Sequence, residues 1–315
     1  MKVASFYRFL DLEDPKIYCE SLQALCDENS LLGTVLLADE GFNCTLAGSR
    51  QAVMLVLTWL KNTFALKDPI EVRWTEAAEA PFRHMRVRLK KEIVTLGRVD
   101  IKPYQSSSKY LSADDWNEFI DNPDTLVIDT RNHYEVEIGS FPNALNPGTD
   151  SFRQFPMFAE QLVKISKKPP IGIFCTGGIR CEKAAALMLE LGFQEVYQLE
   201  GGILKYLEQV TEKSNRWNGE CFVFDSRVAI DRDLAEGDYI QCYACRRPLS
   251  NEDLHSPEYQ EGISCSQCIS ELDEDKTGRL KERQHQIHLV RARGKTHIDA
   301  ILSNDATKFG KKSTQ

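Results

Sequence analysis

The stretch Ile171-Gly-Ile-Phe-Cys175-Thr-Gly-Gly-Ile-Arg180-Cys181-Glu-Lys183 constrains this chain more than any other. An apolar run ends on a cysteine and opens through two glycines into a helical pattern, which reads as strand, tight loop, helix. In such a loop the N–H groups around Thr176, Gly177, Gly178 and Ile179 and the N-terminus of the following helix converge on the sulfur of Cys175. A cradle of that kind favours negative charge. The thiolate is the reactive form of cysteine, and a helix N-terminus with Arg180 five positions on lowers its pKa. Cys175 is therefore the candidate nucleophile, and Arg180 the group that stabilises its anion. The plain alternative is a buried packing cysteine.

Three further features weigh against that alternative. Thr125-Leu-Val-Ile-Asp129-Thr-Arg131-Asn132 is a second apolar strand, ending in Asp-x-Arg. A turn-rich linker, Gly139-Ser-Phe-Pro-Asn-Ala-Leu-Asn-Pro147, follows it. Val196-Tyr-Gln-Leu-Glu-Gly201-Gly202-Ile203 closes the set. Together these resemble the rhodanese domain: Asp129 and Arg131 match its early Asp-x-Arg motif, Cys175 to Arg180 its six-residue active loop, and Gly201-Gly202 its late glycine pair. The resemblance covers residues 103–212. It implies a parallel α/β domain whose loop amides wrap a persulfide or other sulfur-centred anion, with Asp129 and Arg131 in support. Phosphatase loops of related fold are one residue longer, so a phosphatase is a poor fit.

The flanking sequence narrows the family. Asp39-Glu-Gly-Phe-Asn-Cys44-Thr, Arg131-Asn-His-Tyr-Glu-Val-Glu-Ile-Gly139, the Cys175 loop and Trp217-Asn-Gly-Glu-Cys-Phe-Val-Phe-Asp225 occur in order. That series resembles the tRNA uridine hydroxylase (TrhO) family, formerly UPF0176, over almost the whole chain. The resemblance implies oxygen-dependent 5-hydroxylation of the wobble uridine (U34) of tRNA, with Cys175 essential, molecular oxygen as co-substrate and the tRNA anticodon loop as partner. Where the family pattern has Ile and Gly in the first motif, this chain has Phe42 and Cys44, which disfavours a positive φ at position 44. Sulfur transfer through a persulfide on Cys175 is the competing enzyme reading. An adaptor without turnover is a third, against which the intact Cys175 and Arg180 speak.

A chain of 315 residues exceeds what one hydrophobic core usually organises and implies two or three domains. No apolar stretch approaches membrane-spanning length, and the first ten residues lack the apolar region and cleavage site of a secretory signal, so the expected location is the cytoplasm. Ten cysteines in that setting argue for thiol and metal chemistry rather than disulfides. No Rossmann-type glycine fingerprint and no two-histidine, one-carboxylate iron site is legible, so no organic cofactor is expected; His285 and His288 read as surface residues.

The first hundred residues read as a separate domain. Strands over 3–9, 33–38, 42–47 and 86–94, with helices over 15–28 and from a Ser49 cap to Phe64, give a β-α-β-β-α-β order, the split βαβ or ferredoxin-like plan. Within His84-Met-Arg86-Val-Arg88-Leu-Lys90-Lys91, alternation puts Arg86, Arg88 and Lys90 on one strand face. That basic stripe is either a tRNA phosphate contact or a solvated face. The formal net charge of −8 argues against RNA until its distribution is seen. From Lys276 onward ten basic residues face three acidic ones, a net +7. This basic tail is either an RNA contact or a mobile, solubilising end.

Before the tail, Cys242-Tyr-Ala-Cys245 and Cys265-Ser-Gln-Cys268 enclose nineteen residues, a strong metal signature. Two tight knuckles present four thiolates to one tetrahedral ion; structural zinc is the expected occupant and an iron–sulfur cluster the alternative. Beside the catalytic loop, Cys181 is either a resolving thiol for Cys175 or a packing residue, and disulfide geometry favours packing. Lys183 is poorly placed by the helix dipole and is assigned to an anionic substrate. The expected fold class is a multidomain mixture of α/β and α+β: a ferredoxin-like domain over 1–100, a rhodanese-like parallel α/β domain over 101–215, and a Cys-rich module with a basic tail over 216–315.

Overall fold

The computed structural model describes residues 1–293 apart from 78, 79, 165–167 and 226. The chain forms two compact units: one runs from Met1 to residue 226 and takes in Ile230–Glu236, the other comprises Arg227–Ala229 and the chain from Gly237 on.

The first unit opens with β1 (Lys2–Phe9), α1 (Cys19–Glu28), β2 (Leu32–Ala38), β3 (Gly41–Gly48), α2 (Arg50–Thr63), β4 (Arg73–Glu76) and β5 (Met85–Leu89). Ser49 caps α2 by accepting a hydrogen bond from the Ala52 N–H at 3.1 Å. Ala52, Val53, Val56, Leu57 and Leu60 recur every three or four residues and give the helix its buried stripe. That stripe meets Phe6, Val35, Leu37, Phe42 and Leu46 of the sheet.

The sheet order is β4-β1-β3-β2-β5, which corrects the sequence reading at one strand. In the ferredoxin-like plan the last strand lies antiparallel beside β1, a place expected for residues 86–94. Arg73–Glu76 takes it instead, pairing Ser5 with Arg73 and Lys2 with Glu76. Met85–Leu89 adds to the opposite edge, parallel to β2. The segment Arg-Trp-Thr-Glu carries no strand signal in the sequence because an edge strand needs no apolar run: its residues are half-buried or exposed. The helix expected over 15–28 begins as a 3-10 turn at Pro15–Tyr18. Cys44 lies in mid-strand opposite Phe6 and Val35, so no left-handed residue is needed there; Gly41, with φ of 131°, supplies it.

The same unit continues through β6 (Lys109–Leu111), α3 (Ala113–Asp121), β7 (Leu126–Asp129), α4 (His133–Val136), β8 (Gly139–Ser140), α5 (Phe155–Leu162), β9 (Ile171–Phe174), α6 (Ile179–Glu190), β10 (Val196–Leu199) and α7 (Gly202–Gln209). Strands β6-β10-β9-β7 form a wholly parallel sheet with β9 in its interior. Helices cover both faces, so β9 is buried at every residue and is continuously apolar rather than alternating. Phe155, Ala159, Leu162, Ala184, Leu187 and Met188 close one face. Trp116, Phe141, Ile203, Tyr206 and Trp217 close the other. Cys175 follows β9 at its carboxyl end, where ligands bind in open α/β sheets.

In the second unit, short strands Ile240–Gln241 and Pro248–Leu249 pair antiparallel. Helix Glu274–Ala292 packs by Arg283, which donates to the Tyr243 and Gly262 carbonyls at 2.8 and 2.9 Å. The basic tail expected from Lys276 thus begins as helix; its part from residue 294 on lies outside the described residues. Among the described residues no helix is long and apolar enough to cross a membrane.

Candidate active site

Cys175 is 1 % exposed, and its sulfur accepts a hydrogen bond from the Gly178 N–H at 3.1 Å. Burial alone raises the pKa of this thiol. The Cys181 thiol donating to it, the Arg180 charge and the backbone N–H groups of Cys181 and Arg180 outweigh burial and bring it from 9.0 to about 5. Cys175 is a thiolate at neutral pH. Cys181 shows the reverse: burial, then the neighbouring thiolate, push it well above its ordinary value, and Thr130 Oγ1 lies 3.7 Å from its sulfur.

The loop holds its amides inward because its carbonyls are engaged outside. The Ile203 N–H donates to the Cys175 carbonyl at 3.0 Å and the Leu204 N–H to that of Thr176 at 3.2 Å, so the first turn of α7 turns the peptide planes. Gly202 makes this approach possible. Its φ is 70°, and a Cβ there would stand 2.5 Å from the Cys175 oxygen and 2.9 Å from the Gly178 nitrogen. Gly178, at φ 93°, caps α6.

Arg180 is nearly buried and bidentate with Glu135, at 2.6 and 2.9 Å. Its Nη2 also reaches Thr176 Oγ1 at 3.4 Å. Burial disfavours its charge, but the Glu135 carboxylate more than compensates and keeps it firmly cationic. Sequence reasoning did not single out Glu135, although the Asn132-x-x-Glu135 spacing is that of a capping box, and the Asn132 N–H does donate to the Glu135 carboxylate at 2.9 Å. Asp129 and Arg131 meet each other rather than the sulfur. Arg131 is fully buried, bidentate to Asp129 at 2.9 and 2.6 Å, donates to the Gly139 carbonyl and stacks 5.0 Å over Trp217. This pair ties the ends of β7 and β8 beneath the site.

Lys183 does not face a substrate. It is fully buried, with Nζ 2.8 Å from Glu40 and 2.5 Å from Glu92. One turn beyond Arg180, its direction along α6 carries it to carboxylates of the N-terminal segment, so the assignment to an anionic substrate is withdrawn. Cys181 packs in the core among Ala184, Ala185 and Met188.

The N-terminal segment also reaches the catalytic loop, which the sequence did not signal. Tyr7 of β1 puts its hydroxyl 2.9 Å from where a Cβ on Gly178 would sit. Arg73 of β4 donates to the Gly201 carbonyl at 3.1 Å. Nearby, Tyr110 donates to both Glu182 oxygens at 2.8 and 3.0 Å, and burial raises the pKa of that carboxyl. On another side, Thr176 Oγ1 donates to the Phe222 carbonyl at 3.4 Å, and Phe224 lies with its ring centroid 5.9 Å from the Arg180 guanidinium. Arg86 and Arg88 lie exposed on β5, the sheet edge opposite β4, with exposed Lys90 just beyond; none of the three reaches the loop.

In the second unit the sulfurs of Cys242, Cys245, Cys265 and Cys268 all lie within 4.8 Å of one another. Cys245 to Cys265 is 3.9 Å and Cys265 to Cys268 is 3.6 Å. Four thiolates bound tetrahedrally at about 2.3 Å stand about 3.8 Å apart, so the donor set fits one metal ion.

A thiolate at the carboxyl end of an interior parallel strand, ringed by loop amides and closed by a glycine pair, defines a rhodanese-type domain, here preceded by an acylphosphatase-like one. Residues 1–93 match the family described as the UPF0176 acylphosphatase-like domain and residues 112–209 match that of the rhodanese-like domain. Solved structures with similarity include a rhodanese-like domain from Anabaena sp., at 16 % identity over 36 % of this chain and 80 % of that one, with a TM-score of 0.30. A single-domain sulfurtransferase from Saccharomyces cerevisiae has 19 % identity over 33 % and 93 %, with a TM-score of 0.28. An acylphosphatase from Coxiella burnetii has 19 % identity over 28 % and 90 %, with a TM-score of 0.21.

Proposed function

We propose that this protein is a tRNA-modifying enzyme that hydroxylates C5 of the wobble uridine with molecular oxygen, with Cys175 as the reacting group. The observation that carries the reading is the Cys175 thiolate, with its pKa brought to about 5 beside the Arg180–Glu135 pair. The family resemblance supplies the substrate. Unpaired anticodon-loop bases can be splayed into a pocket, which suits chemistry on a single base. In this reading the thiolate pair forms a bond to C6 of the pyrimidine and the C5–C6 π pair moves onto O4, leaving C5 electron-rich toward oxygen. Once the hydroperoxide formed at C5 is reduced by an added thiol to a hydroxyl group and water, loss of the C5 proton expels the thiolate from C6 and restores the C5–C6 double bond. The loop amides and Arg180 stabilise the anion at each stage.

The overall conversion of uridine and O2 to 5-hydroxyuridine and water takes up two electrons and two protons, so an assay includes a thiol reductant. Nucleosides from undermodified tRNA incubated in air with the protein are analysed by mass spectrometry, beside Cys175→Ala and an anaerobic control. A 5-hydroxyuridine signal that needs both oxygen and Cys175 is expected; its absence sinks the hydroxylase reading. Persulfide transfer is the second reading, favoured by the same inward-facing amides. Thiolated nucleoside, or thiocyanate formed from thiosulfate and cyanide, would identify it. The four-cysteine cluster is assigned to structural zinc, and the site of action to the cytoplasm.

A further inference from the structure

We infer that Phe224 is the platform on which an unpaired nucleobase stacks at the mouth of the catalytic loop; the inference rests on the RNA reading above and deepens it. Phe224 is 66 % exposed, and among the described residues no other phenylalanine stands so far into solvent. A lone surface phenylalanine needs no explanation. This one is held in place by the site itself. Its ring meets Phe222 edge-on at 5.0 Å, and Phe222 meets Tyr134 edge-on at 5.4 Å. The Phe222 carbonyl in turn accepts from Thr176, the residue beside Cys175. Arg180, paired with Glu135 next to the thiolate, lies near the ring at 5.9 Å. An exposed aromatic face is thus fixed in register with the reacting sulfur by two residues of the catalytic loop.

The ligand that such a face suits is planar and uncharged. Every base has a π-face, and aromatic platforms bind single-stranded bases with little regard for sequence. A small sulfur oxyanion gains nothing from an apolar ring, so the feature separates an RNA substrate from a sulfur donor. The stacked base is the target uridine or its neighbour in the loop.

The test uses the full-length protein and a synthetic anticodon stem-loop RNA with uridine at the wobble position. Dissociation constants are measured at several salt concentrations for wild type, Phe224→Ala, Phe224→Leu and Phe224→Trp. Removing the ring should weaken binding about tenfold, with leucine no better than alanine. Tryptophan should restore binding, its fluorescence quenched as RNA is added. The salt dependence should be the same in all four, because a ring neutralises no phosphate. If wild type binds the stem-loop and Phe224→Ala and Phe224→Leu bind it equally well, the stacking role is wrong while the RNA reading stands. Leucine matching phenylalanine would show a packing role and overturn the inference. A wild type that binds no loop RNA sinks both.

Discussion

Burial and ionisation pull in opposite directions at Cys175, and the neighbours settle the contest. The sulfur is covered, which alone raises its pKa, yet the Cys181 thiol, Arg180 and the backbone N–H groups bring it to about 5. The neutral form is given to Cys181, pushed upward by the same burial and by the thiolate beside it. A Cys221 thiol raised to about 12 by burial completes the contrast: of the three only Cys175 ionises at neutral pH. The depressed value has a stability consequence of definite sign. Ionised Cys175 contributes stability in full above the unfolded value of 9.0; the contribution shrinks as pH falls and is gone below about 5. The ultraviolet absorbance of thiolate, taken as wild type minus Cys175→Ala, should therefore rise with a midpoint near 5, and the stability gap between the two proteins should widen from there toward pH 9.0. A midpoint near the free-thiol value would refute the ionised resting state.

At the scale of elements, the catalytic strand, loop and helix were legible because their signals are local. A continuous apolar run, two glycines and a helical pattern need no partner to be read, and the glycine pair at 201–202 announced the second turn. What escaped was set by contact across the fold. Glu135 is invisible as the partner of Arg180 until α4 and α6 are packed, and Lys183 looked free for a substrate until Glu40 and Glu92 were placed against it. Edge strand β4 carries too little apolar pattern to compete with Met85–Leu89, although it takes the place beside β1. The turn between β10 and α7 offers a clean element-level test, because it alone sets the direction of two catalytic-loop peptides. Gly202→Ala places a Cβ 2.5 Å from the Cys175 oxygen at a φ of 70° and should cost at least about 2 kcal/mol by urea unfolding. It should also raise the thiolate midpoint. Gly177→Ala, with nothing within 4 Å of its Cβ, should leave stability within about 1 kcal/mol of wild type. Equal tolerance of both would mean that the α7 turn does not position the loop.

For the whole molecule, the two units are held together internally by different means. The first has extensive aromatic and aliphatic cores, and Lys183 joins its N-terminal segment to α6 through a buried double ion pair. Removing one partner of such a group is destabilising by about 3–5 kcal/mol because a charge is left buried and alone. Among the described residues, the four cysteines of the second have only Leu249 as a fully buried companion in their cluster, with Ala244, Leu254 and Tyr259 packed around them. So little apolar area does not offset the entropy of ordering the knuckles. A metal bridging the four sulfurs does, since binding free energy at such a site is folding free energy. Metal analysis should find one zinc per chain. A scanning calorimetry trace should show a transition of the second unit that a strong chelator abolishes, and Cys265→Ser should abolish it likewise. The transition of the first unit and the thiolate midpoint of Cys175 should persist in both cases. Visible absorbance from iron would replace zinc with a cluster, and a trace indifferent to the chelator would leave the cysteines as ordinary thiols.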